Sequence, residues 1–143
     1  MMASRRRFAD GGSFAAVYSL TVIVPLLKLA VDRPRPEEPF VVPLWASSSA
    51  SFPSGHSALA MLLWGLVFYL APHLVDGRRR VFALRAVSIA IVALTGMSRV
   101  YLGVHWPSDV IGGYLVGGAV LGAIVLAHSM ASADWRSVAL NER

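Results

Sequence analysis

The sequence contains no cysteine and few charged residues. Its 143 residues include 0 Cys, and 15% are charged, against roughly 25% in an ordinary soluble domain. Without cysteine, a disulfide framework, a thiolate metal site and a cysteine nucleophile are excluded. Any chemistry must come from His, Ser, Lys, Arg, Asp or Glu. The scarcity of charge, together with 56% hydrophobic residues, argues against a soluble domain and against intrinsic disorder, and favours a membrane protein.

The charge that is present is mostly basic. Thirteen Lys and Arg against eight Asp and Glu give a net charge of +5 and a pI near 10.4. On a soluble protein this balance would indicate nucleic-acid binding. Here the basic residues lie in short segments between long apolar runs. We therefore expect membrane lipids, and no nucleic acid, as partners.

Four apolar stretches, at about 14–31, 57–75, 81–97 and 110–130, dominate the chain. Each is about long enough for a helix to cross a hydrocarbon core of roughly 30 Å. None shows sustained strand alternation, and the apolar residues surround each helix instead of forming one stripe. The sequence predicts an all-α transmembrane bundle of four spanning helices, forming a single membrane domain over residues 1–143.

The connections between these helices differ in length and charge. The segment 32–53 is rich in Pro and Ser and cannot be helical throughout, and it is a candidate cover over the membrane surface. Alternating helices place this loop and the connection 98–109 on one face. The opposite face carries nine of the thirteen basic residues, so the positive-inside rule makes it cytoplasmic. Those nine are Arg5, Arg6, Arg7, Arg78, Arg79, Arg80, Arg85, Arg136 and Arg143.

The outward face gathers cations that topology does not explain. Lys28, Arg35 and Arg99 fall there, and converging cations near a membrane interface imply an anion among them. Phosphate fits as this anion. The guanidinium of Arg presents a planar fork of donors, the ammonium of Lys presents a point charge, and the start of a helix presents free backbone N–H groups. Ser54 and Gly55 lie at such a helix start. Arg33, two residues before Arg35, is interpreted as a solvated loop charge.

Two histidines add reactive groups to this anion site. His105 and Asp109 are four residues apart across a helix start, so the carboxylate can hold one ring nitrogen and leave the other free to attack phosphorus. His56 is the available donor for the leaving oxygen, and then the base for water. The side-chain cations neutralise the transferring phosphoryl group, so the sequence predicts neither a metal nor another cofactor.

Three segments resemble the signature motifs of the type 2 phosphatidic acid phosphatase superfamily. They are Lys28 with Arg35-Pro36, then Pro53-Ser54-Gly55-His56, then Ser98-Arg99 with His105 and Asp109. The resemblance implies metal-free hydrolysis of a lipid phosphate or diphosphate, of the phosphatidate, phosphatidylglycerol phosphate or polyprenyl diphosphate type. It implies His105 as nucleophile, Asp109 as its partner and His56 as acid and base. It also implies a phosphate site, with Ser98 as a supporting residue; its ligands would be Lys28, Arg35, Ser54, Gly55 and Arg99.

Membrane members of that family typically have six helices, two of them before the first motif. We therefore expect a shortened form of the six-helix fold. Three explanations are open: the chain is a fragment, its start is misplaced, or a partner supplies the missing packing surface. A homo-oligomer is one form that such a partner could take. The expected location is the plasma (inner) membrane, with the site on the non-cytoplasmic face. Two alternatives remain: a phosphotransferase using the same phosphohistidine, and an inactive truncated membrane scaffold.

Overall fold

The computed structural model describes residues 18–37 and 49–141, with side chains up to residue 130. All regular structure within these ranges is helical: α1 Tyr18–Val31, α2 Gly55–Leu74, α3 Arg78–Tyr101 and α4 Pro107–Asn141. The predicted all-α class is confirmed. Several expectations lie outside the described residues, namely the first helix over 14–17, the middle of the 32–53 loop, and the side chains of Arg5, Arg6, Arg7, Arg136 and Arg143.

Three of the helices are long and apolar enough to cross a membrane. They are α2, α3 and the part of α4 over Pro107–Met130, with mean hydropathies of 1.6, 1.9 and 2.2. Their 20, 24 and 24 residues correspond to about 30–36 Å at 1.5 Å per residue. The described part of α1 is an apolar helix of about 21 Å, which follows the predicted span from Tyr18 to its end at Val31. The chain is an integral membrane protein.

Helices extend beyond the apolar stretches that predicted them. α3 takes in Arg78, Arg79 and Arg80 at its start and Ser98 and Arg99 at its end. α4 begins at Pro107, three residues before the predicted start, and its backbone stays helical to Asn141. Hydropathy marks the part of a helix that lies in lipid, whereas backbone hydrogen bonding continues into the polar ends. The connection expected over 98–109 is therefore only the short turn 102–106.

Helix α2 is the centre of the bundle, and the other helices pack around it. Leu20 and Val24 of α1 form a buried cluster with Ala58 and Leu62 of α2. Side chains of α4 cover this cluster: Val116, Val120, Leu121 and Ile124. α3 also packs on α2 but contacts α4 little.

Two glycines allow α4 to lie directly against the backbone of α2. A methyl group on Gly113 would overlap the carbonyl oxygen of Ser54, and one on Gly117 would overlap the carbonyl of Ala58. The sequence predicts such contacts for four glycines of this helix, including Gly118 and Gly122. Gly118 has only ordinary contact with α2, and Gly122 has no neighbour within 4 Å. The close seam is thus confined to the first half of α4, next to the polar end of the bundle.

Candidate active site

His105 lies in the turn between α3 and α4, beside the carboxylate of Asp109. His105 is 5% exposed and Asp109 is 0% exposed, and 3.5 Å separates His105 Nδ1 from Asp109 Oδ2. The turn forms because α3 ends at Tyr101 and Gly103 adopts a φ of +66°, which L side chains rarely adopt. The two residues come together through this local geometry, as their spacing of four predicted.

Asp109 also caps the start of helix α4, which begins at Pro107. Its Oδ2 accepts a hydrogen bond of 2.8 Å from the backbone N–H of Trp106, three residues earlier. Pro107 follows Trp106 as the first helical residue, where its missing N–H costs nothing. This arrangement is the acidic half of a capping box. The carboxylate is therefore fixed by the helix start before any contact with His105 is counted.

The start of α2 is joined to the start of α4. The backbone N–H of Ser54 donates to the carbonyl oxygen of Asp109 over 3.0 Å. The Ser54 hydroxyl is buried and accepts from Ser57, at 3.5 Å from its N–H and 3.0 Å from its hydroxyl. Ser54 thus caps α2. The first N–H groups of the helix, on Gly55 and on the exposed His56, have no intrahelical partner and are the groups left for an anion.

Two predicted phosphate ligands, Lys28 and Arg35, lie at this same end of the bundle. Lys28 Nζ, at the end of α1, donates to the carbonyl oxygen of Ala50. Arg35 donates to the carbonyl oxygen of Val104 over 2.6 Å and to Ser49 at its carbonyl and hydroxyl oxygens, both over 3.0 Å. These bonds draw the two connections of this end together, and the charges of both cations act on His105.

Arg99 is held by the residue before it. Its Nε donates over 3.2 Å to the hydroxyl of Ser98, which itself donates over 2.7 Å to the carbonyl oxygen of Thr95. Ser98 thus links Arg99 to the last turns of α3, and its role as a supporting residue stays a prediction. The charges of Arg99 and Arg35 both act on His56, so residues of all three motifs share one electrostatic environment.

The electrostatics of the site favour an uncharged His105. Burial, followed by the charge of Arg35, lowers its pKa from 6.5 to about 4, and the opposing effect of Asp109 does not compensate. The imidazole is therefore neutral at pH 7, and a neutral ring carries the free lone pair that a nucleophile needs.

Two residues outside the three motifs contact Asp109. Arg33 Nη1 donates to Asp109 Oδ1 over 3.0 Å, and the hydroxyl of Ser51 donates to Oδ2. The interpretation of Arg33 as a solvated loop charge is wrong, because it forms an ion pair with a fully buried carboxylate. Its position two residues from Arg35 was the only available signal, and nothing in the sequence separates Ser51 from the other serines of its run.

The sequence is similar to a known protein family and to named members of bacterial origin. The sequence model of the PAP2 superfamily matches residues 11–133. The chain is 40% identical over 96 residues to phosphatidylglycerophosphatase B of Bacillus subtilis, covering 64% of this chain and 44% of that protein. It is 37% identical over 118 residues to decaprenylphosphoryl-5-phosphoribose phosphatase of Mycobacterium tuberculosis, covering 82% of this chain and 57% of that protein.

A solved structure shows the same arrangement of helices. The crystal structure of a transmembrane PAP2 type phosphatidylglycerolphosphate phosphatase from Bacillus subtilis matches with a TM-score of 0.74 and 31% identity. The match covers 82% of this chain and 58% of that one. The chain thus spans about half the length of the relatives it matches.

Proposed function

Because the chain belongs to the PAP2 superfamily, we propose that it hydrolyses a lipid phosphate or diphosphate through a phosphohistidine formed on His105. The relatives named above are phosphatases of lipid-linked phosphates. The observation that carries the proposal is the position of His105: its Nδ1 is 3.5 Å from the buried carboxylate of Asp109, and the charges of Arg35 and Lys28 act on the ring.

In the first step the Nε2 atom of His105 attacks phosphorus. The N–P bond forms as the P–O bond to the lipid breaks, and the imidazole carries the positive charge that Asp109 stabilises. Charge on the equatorial phosphate oxygens is met by Lys28, Arg35 and Arg99 and by the N–H groups at the start of α2. His56 donates its proton to the departing lipid oxygen.

In the second step water attacks the phosphohistidine. His56, now neutral, takes a proton from the water as the new P–O bond forms and the N–P bond breaks. Inorganic phosphate leaves, and both histidines return to their starting protonation states. The side-chain cations supply the charge neutralisation, so this scheme uses no metal and no other cofactor.

The proposed substrates carry their phosphate at a membrane surface, where the polar end of the bundle lies. We place this end on the non-cytoplasmic face of the plasma (inner) membrane. In support of this orientation, the exposed residues Arg78, Arg79 and Arg80 begin α3 at the opposite end, where the positive-inside rule favours basic side chains.

The test is phosphate release from phosphatidate and from a polyprenyl diphosphate in detergent with EDTA present. The chain is compared with His105→Ala and with His73→Ala, which changes an exposed histidine near the far end of α2. We expect release that survives the chelator, disappears in His105→Ala and persists in His73→Ala. Release that persists in His105→Ala, or that stops in EDTA, would contradict the mechanism.

A further inference from the structure

The carboxylate of Asp109 is held at both oxygens by residues that lie outside the three motifs. Its side chain is 0% exposed. Arg33 Nη1 donates to Oδ1 over 3.0 Å, while the hydroxyl of the fully buried Ser51 donates to Oδ2. Each oxygen thus has a donor besides His105, and the orientation of the carboxylate does not depend on the histidine it faces.

Ser51 contacts both the carboxylate and the imidazole. Its Oγ is 3.4 Å from His105 Nδ1, about as close as Asp109 Oδ2 is at 3.5 Å. The hydroxyl has one hydrogen, which points to Asp109, so its oxygen can only accept from the ring. Both Ser51 and Asp109 therefore favour a proton on Nδ1. A proton there leaves the lone pair on Nε2, the atom proposed to attack phosphorus.

Arg33 ties this arrangement to the start of α4. The guanidinium lies over the Trp106 ring, with its central carbon 5.4 Å from the ring centre, and Nη1 also donates to the Ser108 hydroxyl over 2.6 Å. The carbonyl oxygen of Arg33 accepts from the N–H of Ser51 over 2.7 Å. Arg33 therefore holds Asp109 directly through its side chain and holds Ser51 through its backbone carbonyl.

We propose that Arg33 and Ser51 are positioning residues, which fix the carboxylate of Asp109 and thereby keep His105 in the tautomer with the proton on Nδ1. The proposal rests on the proposed function, in which His105 is the nucleophile. Arg33 and Ser51 act through Asp109 and His105 and do not touch the phosphate. Their loss should therefore slow the chemical step and leave substrate binding nearly unchanged.

The kinetic test uses Arg33→Gln and Ser51→Ala, each with a matched control. Arg85→Gln removes a guanidinium that likewise lies over an aromatic ring, at 4.9 Å, and Ser88→Ala removes a likewise buried hydroxyl. Both controls lie on α3, away from the site. We expect kcat to fall about 10- to 100-fold in the two test variants, as for the loss of one charge-assisted hydrogen bond in the transition state, with KM within about twofold.

The conservative variant Arg33→Lys separates charge from shape. Lysine keeps the positive charge beside Asp109 but loses the planar guanidinium, which lies over the Trp106 ring and whose Nη1 reaches both the carboxylate and Ser108. We expect its kcat to lie between those of the wild type and Arg33→Gln. A fall in kcat no larger than in the controls, or a loss expressed only in KM, would overturn the positioning role.

Nitrogen-15 NMR of histidine-labelled protein tests the tautomer without any turnover. The His105 signals are identified as those missing from a His105→Asn variant, and at neutral pH the wild type should show Nδ1 protonated. We expect Arg33→Gln and Ser51→Ala to increase the share of the other tautomer, and the controls to leave it unchanged. An unaltered tautomer in both test variants refutes the positioning role, whether or not the wild type releases phosphate. A chain without activity but with the expected tautomer shift would overturn the proposed function alone.

Discussion

Replacing Gly113 by alanine tests how closely α2 and α4 must approach for the site to form. The added Cβ would lie 2.8 Å from Ser57 Cβ and 3.1 Å from the backbone nitrogen of Ala58, and closer still to the carbonyl oxygen of Ser54. Two of these three atoms are backbone, so no side-chain rotation relieves the overlap. The helices must therefore separate near the point where Ser54 and Asp109 are hydrogen-bonded.

The size of the effect follows from these distances. Carbon atoms pack at about 3.5–4.0 Å, so the seam must open by about 1 Å. Overpacking of this kind costs about 1–3 kcal/mol, and the better helix propensity of alanine returns up to about 1 kcal/mol. A displacement of about 1 Å between groups that act together can reduce turnover about 100-fold. We expect a net destabilisation of about 1–2 kcal/mol and a much larger loss of activity.

The matched control is Gly122→Ala on the same helix. Gly122 has no neighbour within 4 Å, so alanine there gains helix propensity without a clash. Both variants are measured in one detergent, by thermal unfolding and by phosphate release. Gly113→Ala should lower the midpoint by about 2–4 °C for each kcal/mol lost, whereas Gly122→Ala should keep or raise it. Equal stability and activity in the two variants would refute the close seam.

Three further outcomes concern the reacting groups. Because burial and then Arg35 lower the pKa of His105 to about 4, kcat should fall in acid near pH 4 and not near pH 6.5. The unfolded chain binds this proton at a higher pH than the folded chain does. Relative to His105→Gln, the folded protein should therefore lose about 3 kcal/mol of stability as the pH falls from 6.5 to 4. Asp109→Asn should lower kcat by about 10³–10⁴ with a folded chain, since an amide can hold the wrong tautomer, and a tenfold loss or less would contradict its role. His56→Ala should slow monoester hydrolysis more than diphosphate hydrolysis, because a diphosphate is the better leaving group; equal losses on both would argue against His56 as the acid.

The helices could be predicted from the sequence because a membrane crossing leaves a long apolar run. Their ends could not, since Arg78 and Ser98 are polar residues that continue a helix after the apolar run stops. Hydropathy reports the surroundings of a segment, and helix ends depend on capping contacts that hydropathy does not measure.

The site was partly predictable for a related reason. His105 and Asp109 are neighbours in the chain, so their contact follows from spacing alone. Arg33 is 76 residues from Asp109, and only the packing of α1 beside α4 brings the two together. Ser51 likewise gains its importance from complete burial next to Asp109. Spacing carries no information about such long-range partners.

The glycine seam also limits how a lipid can approach the polar end of the bundle. At Gly113 and Gly117 the two helices touch backbone to backbone, which leaves no gap for an acyl or prenyl chain. Under the proposed function, the hydrocarbon tail of a substrate would therefore lie along another side of the bundle while its headgroup meets the cations. Such a lipid would not enter from the bilayer between α2 and α4 at the level of these two glycines.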